Sequence, residues 1–289
     1  MNFLIVPMAN KYSIRSHFKK YSISMNNADS TGSNKIILHL KPITCGTVSP
    51  HLTSIKPKEY VINEDGTIAY VEREWISKSD ANQLMILLRQ QVEFERHPIM
   101  MYGKSVMQPR KTFSCGNPNL VHNYSGLSLE LKPWCLSPEI LNIRDNLLGP
   151  LKSLDLINIV STYLFADIPP SVKKIKEIAD RIQEEFKFDA DSCLANEYKT
   201  GAQYIGYHGD RETRGAYNNL VVTVSLGGPR DFCFKRNSNG EVRKVLLNSG
   251  DLCIMAGRCQ EDWKHSIPKR AKANYRISLT YRQLGHRGK

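Results

Sequence analysis

The stretch YIGYHGDRE, from Tyr204 to Glu212, holds the pattern from which the fold of this 289-residue chain can be inferred. His208 and Asp210 stand two positions apart there, and side chains at that spacing on an extended segment point to the same side. A neutral imidazole and a carboxylate placed together suit a divalent metal ion. The triplet alone is a weak signal, because it occurs by chance in many chains and a surface turn also accounts for it.

A second histidine strengthens the metal hypothesis. His265 follows the apolar run DLCIMAG, well downstream of His208 and Asp210. Two imidazoles and one carboxylate make a facial triad, which holds ferrous iron on one face and leaves positions open for a substrate and oxygen. Considered alone, His265 would be interpreted as a structural histidine at a strand end.

The closing run YRISLTYR alternates between two faces of a predicted strand. Apolar and aromatic side chains would pack on the core, whereas Arg276 and Arg282 share the opposite face. If that face lines a barrel interior, the guanidiniums need anionic partners, and a small dicarboxylate suits the planar fork of arginine. Upstream, Asn196 and Tyr198 could add hydrogen bonds to such a carboxylate. The alternatives are a solvated strand face and an ordinary strand edge.

Two helices and a series of strands are predicted along the chain. The segment 77–94 has helical periodicity with Ser79 or Asp80 as its cap, and 171–186 shows a second apolar face. From Ala195 onward, β-branched runs alternate with glycine-containing turns. This pattern predicts an α+β, mainly β fold, a sandwich or jelly roll with both helices on one outer face. KIILHL, from Lys35 to Leu40, is a further possible strand.

Charge and cysteine content narrow the class of protein. The formal charge of +12, from 40 basic against 28 acidic residues, indicates an acidic partner, most often nucleic acid. A basic protein without such a partner is the alternative. Seven scattered cysteines without a CxxC argue against a disulfide framework and a zinc ribbon, and favour a reducing, intracellular compartment. No apolar run reaches the ~20 residues of a membrane span, so we expect no membrane partner, and we expect a monomer.

The ordered set of these residues resembles the AlkB family of Fe(II)- and 2-oxoglutarate-dependent nucleic-acid oxidative demethylases. The family pattern is N-x-Y, H-x-D, a distant His and R-x5-R, and all four parts occur here in order. The resemblance implies a double-stranded β-helix that uses iron(II), 2-oxoglutarate and O2. It implies that the metal is held by His208, Asp210 and His265. It implies that 2-oxoglutarate is held by Asn196, Tyr198, Arg276 and Arg282.

The N-terminal half resembles the substrate lid of that family, and most closely its animal branch that repairs duplex DNA. MYGKSVMQPRKTFSCG followed by VHNYSG carries the likeness, with Met101, Tyr102 and Gly103 as a finger that fills the gap left by a flipped base. Tyr124 would stack on that base opposite His208. The substrate-binding residues so implied are Tyr102, Arg110, His122, Tyr124, Glu212, and the basic loop Lys269, Arg270 and Lys272. A solvated basic loop is the alternative for the last three.

The resemblance also orders the chain into segments. Residues 1–57 are expected to be a basic, disordered tail or an organellar targeting segment, consistent with a nuclear or a mitochondrial location. Residues 58–134 would form the N-terminal helix and the nucleotide-recognition lid, 135–172 an insertion, and 173–289 the catalytic jelly-roll core. Residues 58–289 together would make one folded domain.

The function implied by the resemblance is DNA repair by oxidative demethylation. N-methyl lesions of the 1-methyladenine and 3-methylcytosine type, in single- or double-stranded DNA, would be hydroxylated and released as formaldehyde. One alternative is an oxygenase that acts on RNA or on protein. Another is a catalytically silent nucleic-acid-binding relative, against which the intact ligand set argues.

Overall fold

The computed structural model describes residues 57–101, 103–135, 168–210 and 219–284, and two short strands nearer the N-terminus. Those strands, β1 (Tyr21–Ser22) and β2 (Lys41–Pro42), pair antiparallel within a first compact unit, Met1–Ile55. All other described elements belong to a second unit, Lys56–Lys289. The predicted strand at 35–40, Tyr102, Glu212 and most of the predicted insertion lie outside the described residues.

The second unit contains sixteen described strands and three described helices. The strands are β3 Lys58–Glu64, β4 Thr67–Glu72, β5 Pro98–Met101, β6 Lys104–Met107, β7 Lys111–Gly116, β8 Val121–Tyr124, β9 Leu127–Glu130, β10 Lys132–Pro133, β11 Ser192–Tyr198, β12 Ile205–His208, β13 Val221–Gly227, β14 Arg230–Arg236, β15 Val242–Leu247, β16 Leu252–Gly257, β17 Trp263–Ile267 and β18 Arg276–Arg282. The helices are α1 Lys78–Gln91, α2 Pro170–Phe186 and α3 Cys259–Asp262.

Two sheets build the body of this unit. The larger has the order β10-β7-β11-β18-β13-β16-β4-β3 and is antiparallel except for the β10–β7 pair. The smaller has the order β12-β17-β14-β15 and is antiparallel throughout. Hairpins β5–β6 and β8–β9 stand apart from both sheets. This arrangement confirms the predicted mainly β jelly roll.

The two long helices cover the outer face of the larger sheet, as predicted. Leu84 and Leu88 of α1, and Ile175 and Ile182 of α2, share one buried cluster with the apolar face of β18. Burying such a side chain is worth ~1.5–3 kcal/mol, so the cluster fixes the helices to the sheet. Tyr281 adds a hydrogen bond from its hydroxyl to the Ile175 carbonyl, 3.1 Å away.

The cap of α1 differs from the prediction. Ser77, not Ser79 or Asp80, occupies the N-cap, with extended backbone angles, and its hydroxyl accepts from the Asp80 N–H at 3.1 Å. The helix begins earlier than predicted because Asp80 fits the third helical position, where its carboxylate accepts from the Ser77 hydroxyl at 2.8 Å. Ser77, Ser79 and Asp80 are all residue types that can act as an N-cap, so the sequence alone did not identify the cap.

The alternation predicted for β18 is present. Ile277 and Leu279 are fully buried on the helix side, while Arg276 and Arg282 face the space between the two sheets. Four strands of the larger sheet come from the segment 58–134, and the other four come from the segment 173–289. The sheet therefore contains strands from both predicted segments. The bounds of these segments stay a prediction. None of the three helices described in this unit has the length and apolar character that crossing a membrane demands.

Candidate metal centre and substrate cavity

Three side chains meet where the smaller sheet opens toward the larger one. His208 ends β12, and its Cα is the cross-strand partner of His265 on β17. Asp210 follows two residues later, so its carboxylate returns to the same side. Asp210 Oδ1 lies 3.6 Å from His208 Nε2 and 3.8 Å from His265 Nε2, and one ligand atom of each residue falls within 4.8 Å of the others. The predicted triad is therefore assembled in space.

Arg282 fixes the orientation of the Asp210 carboxylate. Its Nε and Nη2 donate to Oδ2 at 3.0 and 2.8 Å, which leaves Oδ1 directed at the two imidazoles. From the opposite side, the Gln260 side-chain carbonyl accepts from the Asp210 backbone N–H at 2.9 Å. Burial alone would raise the pKa of Asp210, but Arg282 and the imidazoles outweigh it and hold that pKa well below its ordinary value.

The two histidines are held as neutral ligands. His208 Nδ1 lies 2.9 Å from the Gly206 carbonyl, so Nδ1 carries the proton and the Nε2 lone pair faces Asp210. The His265 ring stacks on Phe232 with an interplanar angle of 11°. Burial, with His208 beside it, lowers the pKa of His265 to about 3, and burial also lowers the pKa of His208. Both imidazoles are therefore neutral at pH 7.

This donor set fits ferrous iron. It offers two neutral nitrogens and one ionised oxygen, and the remaining carboxylate oxygen is already occupied by a guanidinium. Three ligands from one side leave coordination positions for other molecules, which is typical of non-haem iron oxygenases. The hydrogen bonds to Asp210 and His208 are the outer contacts that usually orient such ligands.

At the other end of the same space, Arg276 presents an unsatisfied charge. Its side chain is fully buried, Nη2 donates to Ser225 Oγ at 2.9 Å, and the guanidinium carbon lies 5.4 Å from the Tyr198 ring centre. Nε and Nη1 have no hydrogen-bond partner among the described residues. Burial lowers the pKa of Arg276 to about 10, yet the group stays charged at pH 7. A buried guanidinium with unpartnered N–H groups on two nitrogens is suited to a carboxylate of 2-oxoglutarate.

Asn196 and Arg110 connect the lid segment to the cofactor end. Asn196 is buried on β11, and its Oδ1 accepts from Arg110 Nε at 2.6 Å. Arg110, expected to grip substrate, is itself buried and lines the cavity. Its placement makes it a support for Asn196. Arg282, expected at 2-oxoglutarate, makes its two described hydrogen bonds to Asp210, and its contact with the cofactor stays a prediction.

A cavity of about 810 Å³ joins these groups to the lid. His122 and Tyr124 of β8 line it, with ring centres 4.9 Å apart. Gln108 Nε2 donates to the Tyr124 hydroxyl at 2.8 Å, and the buried Gln108 Oε1 has no partner among the described residues. The volume lies in the range of small-molecule sites, and the walls are mixed apolar and polar.

Of the predicted site residues, ten line this cavity: Arg110, His122, Tyr124, Asn196, Tyr198, His208, Asp210, His265, Arg276 and Arg282. The basic loop lies outside its lining. Lys269 and Lys272 are exposed there, and Arg270 pairs with Asp231 at 3.1 Å. Tyr102 and Glu212 are outside the described residues.

Sequence reasoning missed three polar residues of the site. Gln108 orients a lid ring, Gln260 holds the Asp210 backbone, and Arg230 is a fully buried guanidinium whose carbon lies 5.3 Å from the Tyr198 ring centre. Arg230 Nη2 donates to the carbonyls of Gln203 and Pro268 at 2.8 and 2.5 Å. Gln108 directly precedes Pro109 and Arg110 in the lid segment, and this position was the one sequence signal that it belongs to the site. Nothing local in sequence marks the other two.

Comparison with known proteins agrees with this geometry. Residues 69–282 match the family model of the 2OG-Fe(II) oxygenase superfamily. The chain is 27% identical over 251 residues to the DNA oxidative demethylase ALKBH2 of Bos taurus, covering 83% of this chain and 75% of that protein. It is 28% identical over 219 residues to ALKBH2 of Homo sapiens, covering 72% and 70%. The solved structure of OsALKBH1 superimposes with a TM-score of 0.44 at 16% identity, covering 77% of this chain and all of that one. The chain belongs to the 2OG-Fe(II) oxygenase superfamily, as an AlkB-type dioxygenase that uses Fe(II), 2-oxoglutarate and O2.

Proposed function

We propose that this dioxygenase repairs DNA by removing N-methyl groups of the 1-methyladenine and 3-methylcytosine type. Hydroxylation of the methyl group would release it as formaldehyde and restore the base. The names of the ALKBH2 relatives support a DNA substrate, and the formal charge of +12 favours a polyanion.

The observation that carries the proposal is one continuous cavity. It contains the His208–Asp210–His265 triad, the unpaired N–H groups of Arg276 and the aromatic ring of Tyr124. An enzyme that acts on a base must take that base out of the stack and hold it beside the reacting centre. A cavity of about 810 Å³ has room for a base and a small dicarboxylate together.

Different side chains would hold the iron and the 2-oxoglutarate at the two ends of the cavity. His208, Asp210 and His265 would hold the iron, and Arg276 with Tyr198 would hold the far carboxylate of 2-oxoglutarate. Bound Fe(II) and 2-oxoglutarate would supply the chemistry that activates O2 and oxidises a C–H bond. The protein supplies placement and a largely buried site with mixed apolar and polar walls.

The lid residues would hold the base itself. Tyr124 offers a ring face for stacking, and Gln108 fixes that ring through its hydroxyl. Gln108 Oε1 is a buried acceptor without a partner among the described residues, so it suits a donor on a substrate edge. His122 packs beside the ring and limits the space available.

The test is formaldehyde release from matched methylated oligonucleotides. Single-stranded DNA, duplex DNA and RNA of one sequence, each with one 1-methyladenine or 3-methylcytosine, are incubated with Fe(II), 2-oxoglutarate and O2. We expect release from DNA that requires both cofactors. His265→Ala is the matched inactive control, because it removes one of three iron ligands.

The three substrates also separate the alternatives. Faster turnover of RNA than of either DNA would replace the proposed substrate with RNA. Absence of release from all three, by a protein that binds iron and 2-oxoglutarate, would leave a nucleic-acid-binding relative or an oxygenase for protein. Conversion of 2-oxoglutarate to succinate in the presence of basic peptides would then identify the latter.

A further inference from the structure

Two exposed tyrosines line the cavity on the smaller-sheet side. Tyr204 precedes β12 and is 37% exposed, and Tyr207 lies within β12 and is 42% exposed. Neither belongs to the metal triad or to the lid. Large aromatic side chains left in solvent next to an active cavity often mark a contact surface.

Each of these rings has a lysine ammonium close to it. Lys269 Nζ lies 5.1 Å from the ring centre of Tyr204, and Lys235 Nζ lies 5.8 Å from that of Tyr207. Lysine and aromatic side chains in alternation are the composition of surfaces that bind single-stranded nucleic acid, where bases stack and phosphates pair. At exposed sites the lysine–ring attraction itself is modest, so both groups stay available.

A third lysine adds another positive charge to this surface. Lys264 on β17 stands directly opposite Lys235 on β14, and like charges at such paired positions repel. Within the parts of the chain that the structure describes, none of Lys235, Lys264 and Lys269 forms an ion pair with an acidic side chain. Lys264 also lines the cavity. Three unpaired cations beside two ring faces are complementary to a phosphodiester strand.

The distance from the iron ligands limits which part of a strand can reach this surface. Tyr207 is the neighbour of His208, so their Cα atoms are ~3.8 Å apart. Tyr204 is four residues from His208, at most ~14 Å even when fully extended. Both rings also line the same cavity as the metal ligands, so the bases next to one held at the metal centre are within reach of these rings.

We infer that Tyr204 and Tyr207 form a stacking platform for the bases that flank the reacting base on the same strand. Lys235, Lys264 and Lys269 pair with the phosphates between those bases. The inference rests on the proposed function and adds to it a second contact region, distinct from the lid. With such a platform, turnover should depend on the length of the nucleic-acid strand.

The platform is tested by replacing each ring with a side chain of similar size but without a π face. Tyr204→Leu, Tyr207→Leu and the double variant are compared with Tyr207→Phe, which keeps the ring. Tyr60→Leu is the matched control, because Tyr60 is 51% exposed on β3, outside the cavity lining. Binding of a methylated single strand is measured by fluorescence anisotropy with Mn²⁺ in place of iron, so that no turnover occurs.

We expect the double variant to bind at least about five-fold to about a hundred-fold more weakly, the range for loss of a single base–aromatic stack. Tyr207→Phe and Tyr60→Leu should bind like the wild type. A 2-aminopurine placed one or two nucleotides from the methylated base should lose its protein-dependent quenching in the leucine variants. Lys235→Ala should lower the slope of log affinity against log salt by about one.

A short substrate separates the platform from the metal centre. A methylated mononucleotide has no flanking bases to stack on the tyrosines, so the leucine variants should slow its turnover far less than that of a long strand. If Tyr207→Leu slows the mononucleotide and the long strand equally, the substitution has disturbed His208 and the platform assignment fails. Unchanged binding and unchanged quenching in the double variant overturn it too. If the wild type releases no formaldehyde from any oligonucleotide, the proposed function fails instead, whatever the binding data show.

Discussion

Replacement of Arg276 by methionine should separate the stability of the protein from its affinity for 2-oxoglutarate. The guanidinium is fully buried, and two of its three nitrogens have no hydrogen-bond partner among the described residues. An unpaired buried charge destabilises the folded chain, and a carboxylate that binds there removes the penalty. The substitution should therefore weaken cofactor binding strongly without weakening the fold.

The magnitudes follow from the same contacts. The drop in the pKa of Arg276 to about 10 corresponds to roughly 3 kcal/mol of cost for a buried charge. Methionine removes that cost and fills the space of the stem, while loss of the hydrogen bond to Ser225 Oγ costs about 1 kcal/mol. The cofactor-free variant should then melt at the wild-type temperature or a few degrees higher. Loss of a charged contact of ~2–5 kcal/mol should weaken 2-oxoglutarate binding roughly thirty-fold to several thousand-fold.

The assay is a pair of melting curves with Mn²⁺ bound, without and with 2-oxoglutarate. At a hundred times its dissociation constant, a ligand adds ~2.7 kcal/mol to the free energy of unfolding. The wild type should show this rise, whereas Arg276→Met, whose affinity is at least roughly thirty-fold weaker, should gain less than about 1 kcal/mol at the same concentration. Arg73→Met is the contrasting control, since Arg73 is paired with Asp251 at 2.6 Å and lines no part of the cavity. That variant should lose stability and keep the cofactor-induced rise.

Two results would refute the reasoning. A clear drop in the melting temperature of cofactor-free Arg276→Met would show that the buried charge is already compensated. A cofactor-induced rise of the wild-type size in the same variant would show that another residue holds the distal carboxylate. Arg230, the second buried guanidinium near Tyr198, would be the next residue to replace.

Five other substitutions have defined outcomes. His208→Ala or Asp210→Ala should leave the melting curve near wild type and abolish formaldehyde release, and normal release with iron present would contradict the triad. Arg282→Leu should weaken metal binding ~10–100-fold, measured by Mn²⁺ titration, because the carboxylate loses its orienting partner; unchanged affinity would count against that role. Gln108→Leu should lower turnover of methylated DNA more than binding of 2-oxoglutarate, and equal losses would argue for a general packing defect. Tyr102→Ala should slow duplex repair roughly five- to a hundred-fold more than single-strand repair, and an equal slowing would remove the finger assignment.

The parts of the fold that sequence predicted are those set by local periodicity. β18 was predicted because apolar and polar residues alternate along it, and α2 because its apolar residues recur at helical spacing. The hairpin β3–β4 was missed, since the burial of β4 depends on a partner strand, β16, that lies far along the chain. Pairing partners of this kind are a property of the whole fold.

Some residues of the functional site could likewise be predicted from the sequence, and others could not. Residues whose chemistry is distinctive at fixed spacing, such as His208, Asp210 and Arg276, could be predicted from the sequence. Gln108 and Arg230 could not, because an isolated glutamine or arginine is far more often a surface residue. Their importance comes from burial next to Tyr124 and Tyr198, which only the folded chain creates.

Arg282 shows why the spacing of ligands in sequence does not by itself define the centre. His208 and His265 belong to the smaller sheet, whereas Arg276 and Arg282 belong to β18 in the larger one. The Asp210 carboxylate connects the two sheets, because one of its oxygens faces the imidazoles and the other accepts hydrogen bonds from Arg282. The distance between the metal end and the carboxylate end of the cavity is thus set by how the two sheets pack. Core substitutions between the sheets should change both ends at once, whereas changes on the helix side of β18 should change neither without unfolding the sheet.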